Sequence, residues 1–457
     1  MRRESLRGWP RRVRLFGIIG RMADKRFNRL QLRMLVMTMI GYTLFYFLRK
    51  NFSFAMPGLA QDYGITKTSL GLFLTLHGIV YGLAKFANGY FGDRARPRRF
   101  LMTGLLACLA LNVVFGFVPL FATTASTLVT VFGVLWVLNG YFQSMGFPPC
   151  AKLMAYWIPP KELATKQTIW NTSHSIGAGL VTILCGYIMG LGTLGSQGVG
   201  VGMWRWCFWG PAILVAVGLV SVYLFLPGLP KDEGLEESEE FKVKSEESAD
   251  VSNDLTVGKM VFRSPVIWTL GLCNFTINLV RFAILDWGPM LLKESKGLTL
   301  DKAGWVVALF EIAGIVGMVL AGRATDRLAG GKGPRVCLVM MCGAAASMAA
   351  FWFMPGSWGV WPLMGVLMLA GFFIYGPQAL TGVTATNIAT KRFTGTAIGF
   401  ISLFSYLSVI FTGVGMGALA DRFGGWSVPF ACVIGVAVAG ALLFACLWNT
   451  RANSYGK

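Results

Sequence analysis

Long apolar blocks separated by short polar stretches dominate this chain. Each block holds roughly 20 residues, which is enough for a helix to cross a hydrocarbon core about 30 Å thick. We place twelve such helices near 34–57, 69–91, 101–122, 127–150, 166–191, 206–227, 265–289, 303–325, 335–355, 360–383, 392–418 and 426–448. The pattern predicts an all-α membrane protein.

The composition supports this fold class. The chain has 457 residues, of which 55% are hydrophobic and only 14% are charged, whereas a soluble domain carries about 25% charged residues. A net charge of +20 is typical of some nucleic-acid-binding proteins, but here the positive residues cluster at helix ends, which fits the orientation rule for membrane proteins. We therefore expect a lipid bilayer as partner and no nucleic acid.

Neither a metal nor another cofactor is expected. The nine cysteines lie mostly in apolar segments, no Cys-x-x-Cys motif or His/Cys cluster occurs, and buried free thiols are predicted. No catalytic constellation or nucleotide-binding loop is recognisable, so the sequence does not indicate an enzyme. The first apolar block is too long for the core of a cleavable signal peptide.

The predicted organisation is two six-helix halves joined by a charged linker. A basic amphipathic arm (1–33) precedes the N-terminal half (34–227), and the linker (228–263) leads to the C-terminal half (264–448) and a tail (449–457). Lys and Arg fill alternate short loops, which predicts that both termini and the linker are cytoplasmic. The linker is expected to be a solvated tether or a regulatory segment.

Repeated motifs relate the two halves. A Gly-x-x-x-Asp-Arg motif ends helix 2 and recurs 233 residues later at the end of helix 8, and an intramembrane arginine recurs at an offset of 232. The glycine is expected to let helices approach closely, and the aspartate to pair with a loop arginine or a helix N-terminus when the halves move. The motif residues are Gly89, Asp93, Arg94, Gly322, Asp326 and Arg327.

Charged side chains within the membrane helices indicate the chemistry. A charge at bilayer depth costs about 2.5–3.5 kcal/mol or more, so it requires a partner. The predicted central cations are Arg49, Lys85, His174 and Arg281. They exceed the available counter-charges, which predicts an anionic ligand, and the planar guanidinium group favours phosphate. Lys50, Asp286 and Glu311 are interpreted as an ion-pair set between the halves that forms in one state and opens in another.

Polar and aromatic residues share helix faces with these cations. Tyr42, Tyr46 and Arg49 follow the spacing i, i+4, i+7, which places them on one face of helix 1. Further candidates for contact with a ligand are Tyr81, Trp170, Asn171, Asn278 and Tyr406. The alternative for the aromatic residues is packing or anchoring at the membrane interface.

At this level of detail the chain resembles the organophosphate:phosphate antiporter family of the major facilitator superfamily. The resemblance covers about 34–448 and is carried by Tyr42-x-x-x-Tyr46-x-x-Arg49-Lys50, Tyr81-Gly-x-x-Lys85-Phe, Gly146-x-Pro-Pro-Cys150, Trp170-Asn-x-x-His174 and Arg281-x-x-x-x-Asp286-Trp. It implies the major facilitator fold, twelve transmembrane helices in two pseudo-symmetric halves. It also implies that Arg49 and Arg281 bind phosphate, with His174 and Lys85 beside them.

The resemblance implies a function with two alternatives. The expected function is exchange of a phosphorylated sugar, such as glucose 6-phosphate, for inorganic phosphate across a bacterial inner membrane. One alternative is a hexose-phosphate sensor that signals to a histidine kinase. The other is a glycerol-3-phosphate carrier, which Asn278 disfavours because glycerol-3-phosphate carriers have a tyrosine at this position.

Overall fold

The structure is a computed structural model that describes residues 11–122, 124–158, 160–191, 202–235, 261–329, 332–388 and 390–450. These residues form α-helices joined by short turns, and no strand occurs among them. The helices of the N-terminal half are α1 (Arg11–Phe47), α2 (Asn51–Tyr63), α3 (Lys67–Arg94), α4 (Pro97–Phe117), α5 (Ala125–Gln143), α6 (Phe147–Trp157), α7 (Pro160–Leu191) and α8 (Trp206–Phe225).

The C-terminal half repeats this arrangement. Its helices are α9 (Pro265–Lys296), α10 (Leu300–Arg327), α11 (Gly333–Phe353), α12 (Val360–Ile388), α13 (Thr390–Ile410), α14 (Met416–Arg422) and α15 (Ser427–Cys446). A five-residue π-helical segment, Phe411–Gly415, joins α13 to α14. The nine cysteines are free thiols, and six of them are buried as predicted, whereas Cys342, Cys432 and Cys446 are exposed.

Eleven helical stretches among the described residues are long and apolar enough to cross a membrane. They include α1 with α2, α5 with α6, and α13 with α14, each pair counted as one span. The twelfth crossing is α3, whose 28 residues span about 42 Å. The polar residues of α3, among them His77 and Lys85, lower its mean hydropathy, so it is not one of the eleven apolar stretches.

The first helix differs from the expectation in one respect. α1 runs as one helix from Arg11 to Phe47, so the described part of the predicted arm is continuous with the first membrane helix. The membrane helix itself is not continuous: it breaks after Phe47 and resumes at Asn51. The side chain of Arg33 donates hydrogen bonds to the carbonyls of Leu224 and Phe225 at the end of α8, so part of the basic segment caps a helix.

The two halves pack tightly at one end of the molecule, which we call the closed end. It comprises the N-terminal parts of α3 and α10 and the C-terminal parts of α7 and α13–α14. A Cβ atom added at Gly71 would collide with the Gly413 carbonyl, and one added at Gly304 would collide with that of Thr182. Glycine is needed at these positions because the backbones touch across the interface. The loop charges predict that this end is extracellular.

A third copy of the Gly-x-x-x-Asp-Arg spacing lies at the closed end, at Gly417, Asp421 and Arg422. Gly417 lies against the carbonyl of Lys67. The Asp421 carboxylate accepts hydrogen bonds from the backbone N–H and hydroxyl of Thr68 at 2.7 and 2.6 Å. It therefore caps the N-terminus of α3 from the opposite half.

The two predicted motif copies lie at the other end, and the expected close approach is not seen there. A Cβ atom added at Gly89 or Gly322 would meet nothing within 4 Å, because the halves are apart at this end. Arg94 donates to the carbonyl of Tyr90 and stacks on its ring, and Arg327 is exposed. The side chains of Asp93 and Asp326 lie outside the described residues.

Replacing Asp421 is expected to weaken the closed end. Asp421→Ala removes the acceptors for the first N–H groups of α3, so it should lower the free energy of unfolding by about 1 kcal/mol. Asp421→Asn keeps one acceptor oxygen and should lose less. Thermal unfolding in detergent measures both effects. The neighbouring exposed Arg422 supplies the control: Arg422→Ala should change stability by less than about 0.5 kcal/mol. Equal losses in Asp421→Ala and Arg422→Ala would contradict the capping role.

Candidate functional site

A cavity of about 320 Å³ lies between the two halves, below the closed end. Its volume is within the usual range for small-molecule sites. Ten of the eleven predicted ligand-contacting residues line it: Tyr42, Tyr46, Arg49, Tyr81, Lys85, Asn171, His174, Asn278, Arg281 and Tyr406. Side chains from both halves thus face one space, as the repeat offset predicted.

Trp170 is the exception. It is completely buried and stacks on the Tyr42 ring at 4.7 Å and against Phe147 at 5.8 Å. It therefore supports the cavity wall from behind and does not line the cavity. This position fits the packing alternative for Trp170.

Sequence reasoning missed five lining residues, namely Phe147, Phe282, Gln378, Ser402 and Ser405. The two phenylalanines, Ser405 and Gln378 carry no signal of their own, since apolar and polar uncharged residues occur in many membrane helices. Ser402 precedes Tyr406 by four residues on α13, so it lies on the same helix face and could have been predicted from that spacing. Lys50, predicted as a gate residue, also reaches the cavity.

The break in the first helix positions Arg49. The break leaves backbone carbonyls without helical partners, and buried amide side chains bond to them. Asn139 and Asn112 donate to the carbonyl of Leu48 at 3.0 and 3.3 Å, and Gln143 donates to that of Phe45 at 3.0 Å. Non-helical backbone at membrane depth is tolerated only where such partners satisfy it. The amide groups therefore hold the segment that carries Arg49 and Lys50.

Arg49 faces aromatic rings rather than an acid. Its guanidinium carbon lies 4.4 Å from the centroid of the Tyr81 ring and 5.7 Å from that of Tyr46. Among the described residues, no carboxylate lies within ion-pair distance of it. Cation–π contacts of this kind stabilise a cation by about 1–2 kcal/mol, which is less than its burial costs. Arg49 is thus a cation that an anionic ligand would neutralise.

Arg281 differs from Arg49, contrary to the symmetric prediction. Its Nη2 atom lies 3.5 Å from the Oε1 atom of Glu311, and both side chains are buried. The ring of Tyr375 lies 4.6 Å from its guanidinium carbon. Because α9 and α10 belong to the same half, this pair does not join the halves. Glu311 is therefore a partner of Arg281 and not the inter-half gate residue that was predicted.

The long distance between the Arg281 and Glu311 side chains leaves one buried polar atom of each without a hydrogen bond to the described residues. Among the residues that the structure describes, none bonds to Arg281 Nε or Glu311 Oε2, although both atoms are buried. Such orphan atoms are costly and occur where a ligand or a rearrangement satisfies them. Arg281 consequently retains hydrogen-bonding capacity for an anion despite the acid beside it.

Lys50 and Asp286 form the predicted bond between the halves. The Lys50 Nζ atom lies 2.5 Å from Asp286 Oδ1, and both side chains are almost fully buried. Lys50 lies in the break of the first helix, directly before Asn51, whereas Asp286 lies on α9. The pair stands beside His77, which bonds through Nδ1 to the carbonyl of Trp136 and stacks on its ring.

Two further basic groups face the cavity from the N-terminal half. The Lys85 Nζ atom lies 4.6 Å from the ring centroid of Phe147, and the His174 ring lies 5.7 Å from that of Tyr46. Arg49, Lys85 and Arg281 therefore bring three positive charges to one cavity, while Lys50, which also lines it, is paired with Asp286. The cavity is suited to an anion.

Comparison with known proteins identifies the family. The model of the Major Facilitator Superfamily matches residues 38–413 and 303–456. The chain belongs to the major facilitator superfamily. Its members are transporters, so the expectation that the chain is not an enzyme is confirmed, and so is the predicted fold class.

Curated relatives support the organophosphate branch of this superfamily. A probable hexose phosphate transport protein of Chlamydia pneumoniae is 33% identical over 95% of each chain. The glycerol-3-phosphate transporter of Bacillus subtilis is 33% identical over 93% of this chain and 94% of its own. The membrane sensor protein UhpC of Escherichia coli is 32% identical over 94% of both chains. The resemblance to the organophosphate:phosphate antiporter family is thereby confirmed.

Solved structures confirm the fold alone. The xylose transporter XylE of E. coli in an inward-open conformation has a TM-score of 0.71 at 15% identity, covering 93% of this chain and 98% of its own. An inward-facing, unoccupied bacterial homologue of the human lysosomal transporter Spinster gives a TM-score of 0.72 at 15% identity, covering 92% and 98%.

The Lys50–Asp286 pair can be tested by a double-mutant cycle. Lys50→Met leaves a buried carboxylate without a partner and should lower the free energy of unfolding by about 3–5 kcal/mol. Asp286→Leu should have a similar effect. The double variant replaces both charges with apolar groups and should be much more stable than either single variant. Thermal unfolding in detergent measures all four proteins, and simple additivity would contradict a coupled pair.

Proposed function

We propose that this protein is a carrier that exchanges a phosphorylated sugar, hexose 6-phosphate in particular, for inorganic phosphate. The observation that carries the proposal is the cavity in which Arg49 of one half and Arg281 of the other face the same space. The organophosphate transporters among its relatives support the same substrate class.

The two arginines would hold the phosphate group common to both substrates. A guanidinium group binds phosphate oxygens through two parallel N–H bonds, which a lysine cannot reproduce. Arg49 would gain its counter-charge from the ligand. Arg281 would bond through atoms that Glu311 leaves unsatisfied. Lys85 and His174 would complete the anion site.

The unequal surroundings of the two arginines provide a reason for obligatory exchange. When the carrier is empty, closing the cavity would desolvate Arg49 without a counter-ion, which costs several kcal/mol in a low dielectric. Bound phosphate removes that cost, so closure is favoured mainly in the loaded carrier. A ligand shifts a conformational equilibrium only by its differential affinity for the two states, and here the phosphate charge supplies that difference.

The Lys50–Asp286 pair would oppose opening of the closed end. It joins the halves at the closed end, so it must separate before that end opens. We propose Lys50 and Asp286 as the gate pair, and the motif residues near Gly89 and Gly322 as contacts formed in the opposite state. Both termini and the linker would lie in the cytoplasm, and the proposed location is a bacterial inner membrane.

A sensor is the second candidate, because the membrane sensor protein UhpC is as similar as the transporters are. A sensor would bind the same ligand in the same cavity but carry little flux, and it would act on a histidine kinase. Purified protein in phosphate-loaded liposomes separates the two functions. Rapid uptake of labelled glucose 6-phosphate against internal phosphate supports a carrier, whereas binding without appreciable flux supports a sensor. Preference for glycerol 3-phosphate in the same assay would support the third candidate.

Conservative replacement of either arginine is expected to abolish exchange. Arg49→Lys and Arg281→Lys keep the charge but lose the bidentate geometry, and truncating a buried charge contact costs about 2–5 kcal/mol. Phosphate counterflow should therefore fall by about 100-fold or more. The measurement is initial uptake of labelled phosphate into phosphate-loaded liposomes.

The exposed Arg422 provides the matched control, since Arg422→Lys should retain wild-type counterflow. The amount of each variant recovered in the liposomes and its thermal stability show whether its insertion into the membrane is intact. Wild-type counterflow in either site variant would refute the proposed phosphate clamp.

A further inference from the structure

The C-terminal half contributes a neutral wall to the cavity, one helical turn away from Arg281. The wall consists of Asn278 on α9 and Ser405 on α13, with Asn274 behind them. Asn278 precedes Arg281 by three residues, which is about 4.5 Å along the helix axis. A ligand whose phosphate meets Arg281 would therefore place atoms a few carbons away against this wall.

Hydrogen bonds fix the orientation of the Asn278 amide. Its Nδ2 atom donates to the backbone carbonyl of Asn274 at 2.8 Å, and its second proton points to the Ser405 hydroxyl oxygen at 2.9 Å and the Asn274 Oδ1 atom at 3.0 Å. A backbone carbonyl can only accept, so the nitrogen must occupy this position. The Asn278 Oδ1 atom takes part in none of these bonds and remains as an acceptor.

Hydrogen bonds also fix the role of the Ser405 hydroxyl, which is left as a donor. Its oxygen accepts from Nδ2 of Asn274 at 2.6 Å and from Nδ2 of Asn278 at 2.9 Å. A hydroxyl has two acceptor sites and one proton, and both acceptor sites are used here. Its proton is therefore left to donate. Asn274 is itself anchored to the carbonyl of Ile401 at 2.9 Å, which holds the arrangement in place.

This pairing of one acceptor and one donor fits hydroxyl groups and not anions. A sugar hydroxyl donates to Asn278 Oδ1 and accepts from Ser405. An ionised phosphate or carboxylate has no proton to donate, so it would leave the amide oxygen desolvated and unpaired. A site built to hydrogen-bond a hydroxyl rejects analogues that lack one, because its own polar groups lose their partners.

We propose that Asn278 and Ser405, positioned by Asn274, form the hydroxyl subsite of the cavity and restrict its substrates to polyhydroxylated phosphate monoesters without a second anionic group. The inference rests on the proposed function and deepens it. Glucose 6-phosphate meets this requirement, whereas 3-phosphoglycerate does not, because its carboxylate would face the Asn278 oxygen.

The test measures competition for phosphate exchange. Full-length protein in phosphate-loaded liposomes takes up labelled phosphate in the presence of glucose 6-phosphate, glycerol 3-phosphate or 3-phosphoglycerate. The readout is the ratio of the half-inhibitory concentration of each competitor to the half-saturating concentration of phosphate. Wild-type protein should prefer glucose 6-phosphate over 3-phosphoglycerate by at least tenfold.

Two variants remove the subsite in different ways. Ser405→Ala and Asn278→Leu should each raise the glucose 6-phosphate ratio by about three- to tenfold, the value of one net hydrogen bond. Ser405→Thr keeps the hydroxyl and should restore a ratio near that of the wild type. Asn278→Lys replaces the acceptor with a cationic donor and should lower the 3-phosphoglycerate ratio below that of glucose 6-phosphate.

Ser408 provides a matched control on the same helix. It is fully buried, and its hydroxyl donates to the carbonyl of Ser405 within the helix. Ser408→Ala should leave all three ratios unchanged. If Ser405→Ala and Asn278→Leu shift the ratios no more than Ser408→Ala does, or if wild-type protein accepts 3-phosphoglycerate as readily as glucose 6-phosphate, the subsite is refuted. Absence of wild-type phosphate exchange would instead refute the proposed function.

Discussion

The arrangement depends on one partly buried positive charge at membrane depth that the described protein does not neutralise. Arg49 lies at a break in the first membrane helix and faces tyrosine rings, while the other cavity arginine already has Glu311 beside it. Keeping such a charge at membrane depth is costly unless a counter-ion arrives. The amide side chains that hold the break, the aromatic wall and the opposite half are all placed around this requirement.

The closed end shows how the halves are held together while that charge remains accessible. Backbone contacts at Gly71 and Gly304, the Asp421 cap on α3 and the buried Lys50–Asp286 pair all lie on the same side of the cavity. At the other end Gly89 and Gly322 have open space around them. The structure thus shows the halves in contact on one side of the cavity and apart on the other.

Many residues of the cavity could be predicted from the sequence, because polar residues are rare within membrane helices and each one is therefore informative. Ten residues predicted for the site do line it, and the repeat offset correctly related Arg49 to Arg281. Trp170 was misplaced because a helical face is about 100° wide, so a residue one position away can lie behind the lining ones. Ser405 and Gln378 were missed because nothing in their own helices distinguishes them from ordinary polar residues.

The sequence by itself determined the number of membrane helices, the duplicated halves and the excess of buried positive charge, because these follow from block length, motif spacing and composition. Only the tertiary structure decided which acid meets which base. Lys50 and Asp286 are 236 positions apart, and Glu311 turned to Arg281 within one half rather than across the interface. Such pairings depend on helix rotation and separation to within about an ångström, which periodicity does not encode. For the same reason the break before Asn51 was not predicted, since its partners Asn112 and Asn139 come from other helices.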